Sequence, residues 1–114
     1  MTTNKQVAVL GGGSFGTVLA NIAASNGYEV RLWVRDAEQA LRINSEGANA
    51  TYHPELKLSD NITADDNLAS VVADSQYILV ATPSIIFEEV IFRLEPLIDS
   101  SATCLLYTSD AADE

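Results

Sequence analysis

Residues 11–16, Gly-Gly-Gly-Ser-Phe-Gly, follow a short apolar run and precede a stretch with helical spacing. Gly11, Gly13 and Gly16 fit G-x-G-x-x-G, and each glycine has a mechanical reason. The first permits a tight turn out of a strand, the second lets the backbone approach a pyrophosphate, and the third lets the helix pack closely on the strand. The N–H groups and positive dipole end of the new helix then favour a bound anion. Such a turn also occurs without a ligand, so the motif alone is weak. Its position between a predicted strand and a predicted helix, in a unit of about 30 residues, makes dinucleotide binding the better reading.

Two other strand ends carry candidate chemistry. The end of the second strand reads the adenosine ribose, with an acid for the 2′-hydroxyl of NAD or an arginine for the 2′-phosphate of NADP. Here Arg35 is followed by Asp36. Arg35 suits stacking on adenine, pairing with a phosphate, or a solvated strand end, and Asp36 suits a helix N-cap better than a ribose ligand. The cofactor is therefore NAD or NADP, with NADPH slightly favoured. Thr82-Pro83-Ser84 ends another apolar run, and Ser84 serves equally as an N-cap or a ligand group. His53, the sole histidine, lies in a polar loop and reads as a surface residue rather than an acid–base group. No catalytic residue and no metal ligand is assigned.

These edges need a scaffold, and the sequence supplies an alternation. Strands are predicted at Gln6–Leu10, at Glu29–Val34 with Val30, Leu32 and Val34 on one face, near Ile62-Thr63, and at Tyr77–Ala81. Helices fall between them. The first runs from Phe15 with Val18, Leu19, Ile22 and Ala23 inward, and Gly27 as C-cap. Others span Asp36–Ser45, Asp66–Ala73 and Ser84–Leu97, with an irregular excursion over Glu46–Asn61. Strand–helix alternation predicts an α/β, Rossmann-type doubly wound parallel sheet, here truncated after three or four strands and lacking a substrate domain.

The chain has 114 residues, enough for one domain, and a net charge of −10, which argues against nucleic-acid or anionic-membrane partners. No apolar run approaches the ~20 residues of a membrane span and no signal-peptide pattern is seen, which points to the cytoplasm. A single cysteine, Cys104, excludes a disulfide framework and a multi-cysteine metal site. Cys104–Glu114, CLLYTSDAADE, resembles the translation of a transposon-type sequencing-library adapter. On that reading residues 104–114 are a non-native tail, residues 1–103 are an incomplete dinucleotide-binding domain, and loss of Asp110, Asp113 and Glu114 brings the net charge from −10 to −7.

With these residues in place, the chain resembles the N-terminal domain of the NAD(P)-dependent glycerol-3-phosphate dehydrogenases. The pieces that carry the likeness are GGGSFGTVLA (Gly11–Ala20), NGYEVRLWVRD (Asn26–Asp36), INSEGANATYHPELKLSDNI (Ile43–Ile62) and ILVATPS (Ile78–Ser84). The Gly-Ser-aromatic-Gly-Thr turn, R-L-W-x-R-D and the N-x-x-Y loop together are far more specific than the glycines alone. The resemblance implies that Ser14 and Phe15 contact cofactor, that Arg35 does likewise, and that Tyr52 is a loop aromatic near it. His53 stands where the family usually has leucine before the proline.

The resemblance further implies an oxidoreductase interconverting sn-glycerol 3-phosphate and dihydroxyacetone phosphate, feeding glycerophospholipid synthesis, with a homodimeric parent compatible with the family. A lysine-bearing K-G segment would follow Thr103, and a helical domain would hold the remaining catalytic lysine. The chain as given is therefore expected to be inactive by itself. Two other readings fit the turn: another two-domain NAD(P)-dependent dehydrogenase, and a non-catalytic dinucleotide-sensing regulator.

Overall fold

Gln6–Leu10 ends in four buried residues in a row, Val7 to Leu10, as a strand covered on both faces requires. It forms β1, the centre of the sheet. A computed structural model describes residues 5–49, 55–82, 84–98 and 103–106. After β1 come α1 (Ser14–Ser25), β2 (Glu29–Trp33), α2 (Ala37–Glu46), β3 (Ile62–Asp65), α3 (Leu68–Val72), β4 (Tyr77–Val80), α4 (Ser84–Leu94) and β5 (Thr103–Leu106). The five strands form one sheet in the order β3-β2-β1-β4-β5, and every pairing is parallel.

The period of two along each strand divides the core into two layers. Val7, Val9, Val30, Leu32 and Val34 face α1 and α2, where Ala20, Ala24, Ala40 and Ile43 meet them. Ala8, Leu10, Trp33, Ile78 and Val80 face α3 and α4, where Val71, Val72, Val90 and Leu94 close the other side. Helices thus cover both faces, which is the doubly wound arrangement that the alternation predicts.

Most element ends follow local chemistry. The Asp36 carboxylate accepts from the Glu38 N–H at 3.1 Å and caps α2, as its type and position predict. Gly47 ends the same helix in the left-handed region, φ +69°, with its N–H returned to the Ile43 carbonyl. The cap of α1 is Asn26 rather than Gly27, which follows it at φ +94°. Helix α3 is shorter than predicted, and α4 gives way to a single 3-10 turn over Glu95–Leu97, where Pro96 interrupts it.

Two further differences from the sequence reading have physical causes. In α1 the buried residues are Gly16, Thr17, Ala20 and Ala24, whereas Phe15 and Ile22 are exposed. Leu19 and Ala23 pack against the core from its margin. The helix lies close on the sheet along its small residues, so the large apolar ones are displaced to the flank. The second difference is β5. Its Thr103–Leu106 pairs in register with Tyr77–Val80, so the sheet takes in Cys104, Leu105 and Leu106. Strand pairing uses backbone groups, and a Thr-Cys-Leu-Leu run has strand character whatever the origin of its codons.

The 46–61 excursion is tied down where it is described. Leu58 enters the core, and its N–H donates to the Gly47 carbonyl at 2.8 Å. Asn61 donates to the carbonyls of Ala24 and Tyr28. Asn44 both donates to the Ala64 carbonyl and accepts from its N–H, so a side-chain amide pairs with the outer edge of β3.

Candidate functional site

In an open parallel sheet, ligands bind beyond the carboxyl ends of the strands where the strand order reverses. Here the reversal lies between β1 and β4: β2 and β3 extend to one side, β4 and β5 to the other. The glycine turn leaves β1 at that point. Gly11 continues the ladder by donating to the Trp33 carbonyl at 3.0 Å, and on the other side the Ala81 N–H donates to the Leu10 carbonyl at 2.8 Å.

Two of the glycines are required by the backbone they meet. Gly11 has φ +127°, and a Cβ there would lie 2.5 Å from the Ala81 carbonyl oxygen at the end of β4. A Cβ on Gly16 would overlap the Gly11 carbonyl. The third glycine therefore lets α1 settle onto the first, and the turn is closed against itself.

Gly13 is the N-cap of α1, with no side-chain cap bond. Its carbonyl accepts from the Thr17 N–H at 3.1 Å and from the Thr17 hydroxyl at 2.7 Å. The Gly12 carbonyl accepts from Asn49 Nδ2 at 2.8 Å and from Gln39 Nε2 at 3.3 Å. No peptide bond among the described residues is cis. In a trans peptide the carbonyl and the following N–H point in opposite directions. Both carbonyls are turned into the protein, so the N–H groups of Gly13 and Ser14 are turned toward the N-terminal end of α1. Donors gathered at a helix start suit an anion such as a pyrophosphate.

The other predicted residues divide. Gly11, Gly13, Ser14, Phe15 and Gly16 are brought together in the turn. Arg35 follows β2 on the neighbouring strand end, with its guanidinium 4.0 Å from Glu89 of α4 and both side chains about half exposed. The Asp36 carboxylate is engaged with the start of α2, as the cap reading has it. Thr82 is buried at the end of β4, and its hydroxyl has no hydrogen-bond partner among the described residues. Ser84 opens α4. Tyr52, His53 and Pro83 lie outside the described residues.

A chain of this shape could belong to many dehydrogenases; the comparisons with known proteins separate them. Residues 6–109 match the family described as NAD-dependent glycerol-3-phosphate dehydrogenase N-terminus. The chain belongs to this family. A glycerol-3-phosphate dehydrogenase [NAD(P)+] of Teredinibacter turnerae is 42% identical over 114 residues, which are 100% of this chain and 34% of that protein. One from Leuconostoc mesenteroides is 45% identical over 94 residues, 82% of this chain and 28% of that protein. A crystal structure of the Coxiella burnetii glycerol-3-phosphate dehydrogenase superposes with a TM-score of 0.87 at 34% identity, over 93% of this chain and 33% of that one. The chain spans about a third of the length of the curated relatives it matches. A ketopantoate reductase from Ralstonia eutropha, at 19% identity and a TM-score of 0.75, shares the fold. The family match runs past Thr103 to residue 109 and so includes β5.

Three functional candidates were not legible one by one in the sequence: Thr17, Gln39 and Asn49. Asn49 is only 1% exposed, although it comes from a polar excursion. Its one signal is its place at the head of the N-x-x-Y segment.

Proposed function

We propose that this chain is the cofactor-binding part of an oxidoreductase that interconverts sn-glycerol 3-phosphate and dihydroxyacetone phosphate with NAD(P)(H). The reading rests on one observation above the others: in a chain of this family, the glycine turn opens at the switch point of the sheet with its carbonyls drawn inward. Bound nicotinamide supplies or accepts the hydride. This chain's residues hold and orient it. The N–H groups of Gly13 and Ser14 meet the pyrophosphate, in a turn that Gly11 and Gly16 allow to close against the end of β4 and against itself. Phe15, 38% exposed on the first turn of α1, covers part of the dinucleotide, and the family resemblance adds Tyr52 as a second cofactor aromatic.

Arg35 supports a preference for NADPH. Its ion pair with Glu89 is 4.0 Å long and half exposed, a kind of pair usually contributing under about 1 kcal/mol. A 2′-phosphate, with more charge and a bidentate fit, takes the guanidinium from it readily. Acid–base help to the carbonyl and cations for the substrate phosphate are not supplied by the turn. The whole enzyme, cytoplasmic and homodimeric, adds them and serves glycerophospholipid synthesis, and the 114-residue chain alone does not reduce dihydroxyacetone phosphate.

Titration of the purified chain with NADPH and NADH tests the site. NADPH is expected to bind more tightly, and Gly13→Val to weaken both at least about tenfold, because the side chain stands where the phosphate approaches. Equal binding by the valine variant refutes the pyrophosphate assignment. An assay of the same preparation with dihydroxyacetone phosphate and NADPH is expected to give no turnover. Measurable oxidation of NADPH dependent on that substrate contradicts the division of labour.

A further inference from the structure

Asn49 comes from the excursion between α2 and β3, 37 residues from the carbonyl it binds. A buried primary amide is costly unless all its groups are paired. Here they are paired in a set with one orientation. Nδ2 uses both hydrogens, one on the Gly12 carbonyl and one on Thr17 Oγ1, each at 2.8 Å. Oδ1 accepts from Gln39 Nε2 at 3.3 Å. The Thr17 hydroxyl, accepting from Asn49, gives its own hydrogen to the Gly13 carbonyl at 2.7 Å. Turning the amide over would set its oxygen against the Gly12 carbonyl and against a hydroxyl whose hydrogen is already given, so the orientation is locked.

We propose that Asn49, acting with Thr17, is the positioning residue of the glycine turn: it holds the Gly12 carbonyl inward and thereby presents the Gly13 N–H to the cofactor phosphate. Glycines leave this backbone free to rotate, which is what close approach of a phosphate needs and what a fixed donor array does not. A flipped Gly12–Gly13 peptide would aim a carbonyl dipole at the anion. The clamp removes that alternative before the ligand arrives, so the site is preorganised rather than assembled on binding. The proposal deepens the dinucleotide reading of the turn and rests on it for the identity of the ligand.

The test combines binding with amide hydrogen exchange of the unliganded chain. Asn49→Ala and Thr17→Val each remove part of the clamp, the second while preserving side-chain shape. Both are expected to weaken NADPH binding about tenfold, and to raise exchange at Thr17, whose N–H is bonded to the Gly13 carbonyl inside the turn, by a similar factor. Exchange at Val9, Leu32 and Val80 is expected to stay near that of the parent chain. Thr17→Ser, which retains the hydroxyl, is expected to restore protection in the turn. Two results overturn the proposal: exchange that rises throughout the sheet as much as in the turn, or unchanged binding and turn exchange in Thr17→Val. If the parent chain binds neither NADPH nor NADH while the amide at position 17 still quickens selectively, the clamp stands and the dinucleotide reading falls.

Discussion

Replacing Gly16 by alanine is expected to destabilise the domain by about 3 kcal/mol and to remove NADPH binding with it. Helix propensity alone predicts the opposite sign, since alanine is better than glycine in a helix by ~1 kcal/mol. The packing term outweighs it. A methyl group at position 16 overlaps the carbonyl of Gly11, and the atoms it meets are backbone, held on one side by β2 and on the other by β4. A flexible side chain could rotate away, whereas this carbonyl can move only if the whole turn lifts from the sheet. Lifting it separates α1 from β1 and breaks up the donor array at the helix start. Urea unfolding followed by circular dichroism gives the stability change, and a titration of the folded variant gives the binding change. A midpoint equal to or above that of the parent chain would show that propensity governs and that the close approach of α1 is not required.

Trp33→Ala is expected to cost about 3–5 kcal/mol, enough to leave a domain of ordinary stability largely unfolded. Trp33 is the chain's single tryptophan, and at 1% exposure it is the largest of the fully buried side chains. Its ring fills the layer between the sheet and α3–α4, alongside Leu10, Leu68, Val71 and Val80. The indole N–H donates to the Asp66 carbonyl at 3.0 Å, and the Arg93 guanidinium lies 5.5 Å from the ring centre. One side chain thus joins the end of β2 to the loop after β3 and to α4. Trp33→Phe keeps most of the packing and loses the hydrogen bond, so it should cost far less, about 1 kcal/mol from the lost bond plus the small void. Circular dichroism during thermal unfolding compares the three chains, because the fluorophore is absent from both variants. Similar midpoints for parent and alanine variant would show that the α3–α4 layer is not part of the cooperative core.

The two positions also differ in how well the sequence announces them. Gly16 is legible because the demand on it is local: a strand must turn into a helix within a few residues, and only glycine tolerates the contact. The same holds for Asp36, whose carboxylate caps the helix that begins beside it, and for the alternation in β1 and β2, where each residue faces opposite to its neighbour. These are rules of the chain's own geometry and act over three or four residues. Trp33 is legible as apolar, but its ties to Asp66 and Arg93 cross elements that no local rule brings together.

The face of α1 shows where periodicity stops being informative. Spacing picks out Val18, Leu19, Ile22 and Ala23 as the inward row, of which Leu19 and Ala23 reach the margin of the core and Ile22 is exposed. The sheet instead receives Gly16, Ala20 and Ala24, since a helix drawn down onto the first glycine has no room for large side chains on its contact line. Hydropathy records the preference for leaving water and says nothing of the space available. Asn49 is the opposite case, a polar residue in an irregular stretch that ends up nearly inaccessible because its amide completes a set of donors and acceptors. The strand at Thr103–Leu106 likewise follows from the open edge of β4, which offers unpaired backbone groups to any extended run that reaches it.

The sequence by itself determined the alternation of strands and helices, the glycine turn and the identity of its three glycines, because those depend on dihedral limits and on neighbours a few residues away. Only the tertiary structure decided which face of α1 is buried, how the sheet continues past β4, and that Asn49 and Thr17 hold the turn's carbonyls inward. Those outcomes depend on distances between segments far apart in the chain, set when the two layers of the core close on the sheet.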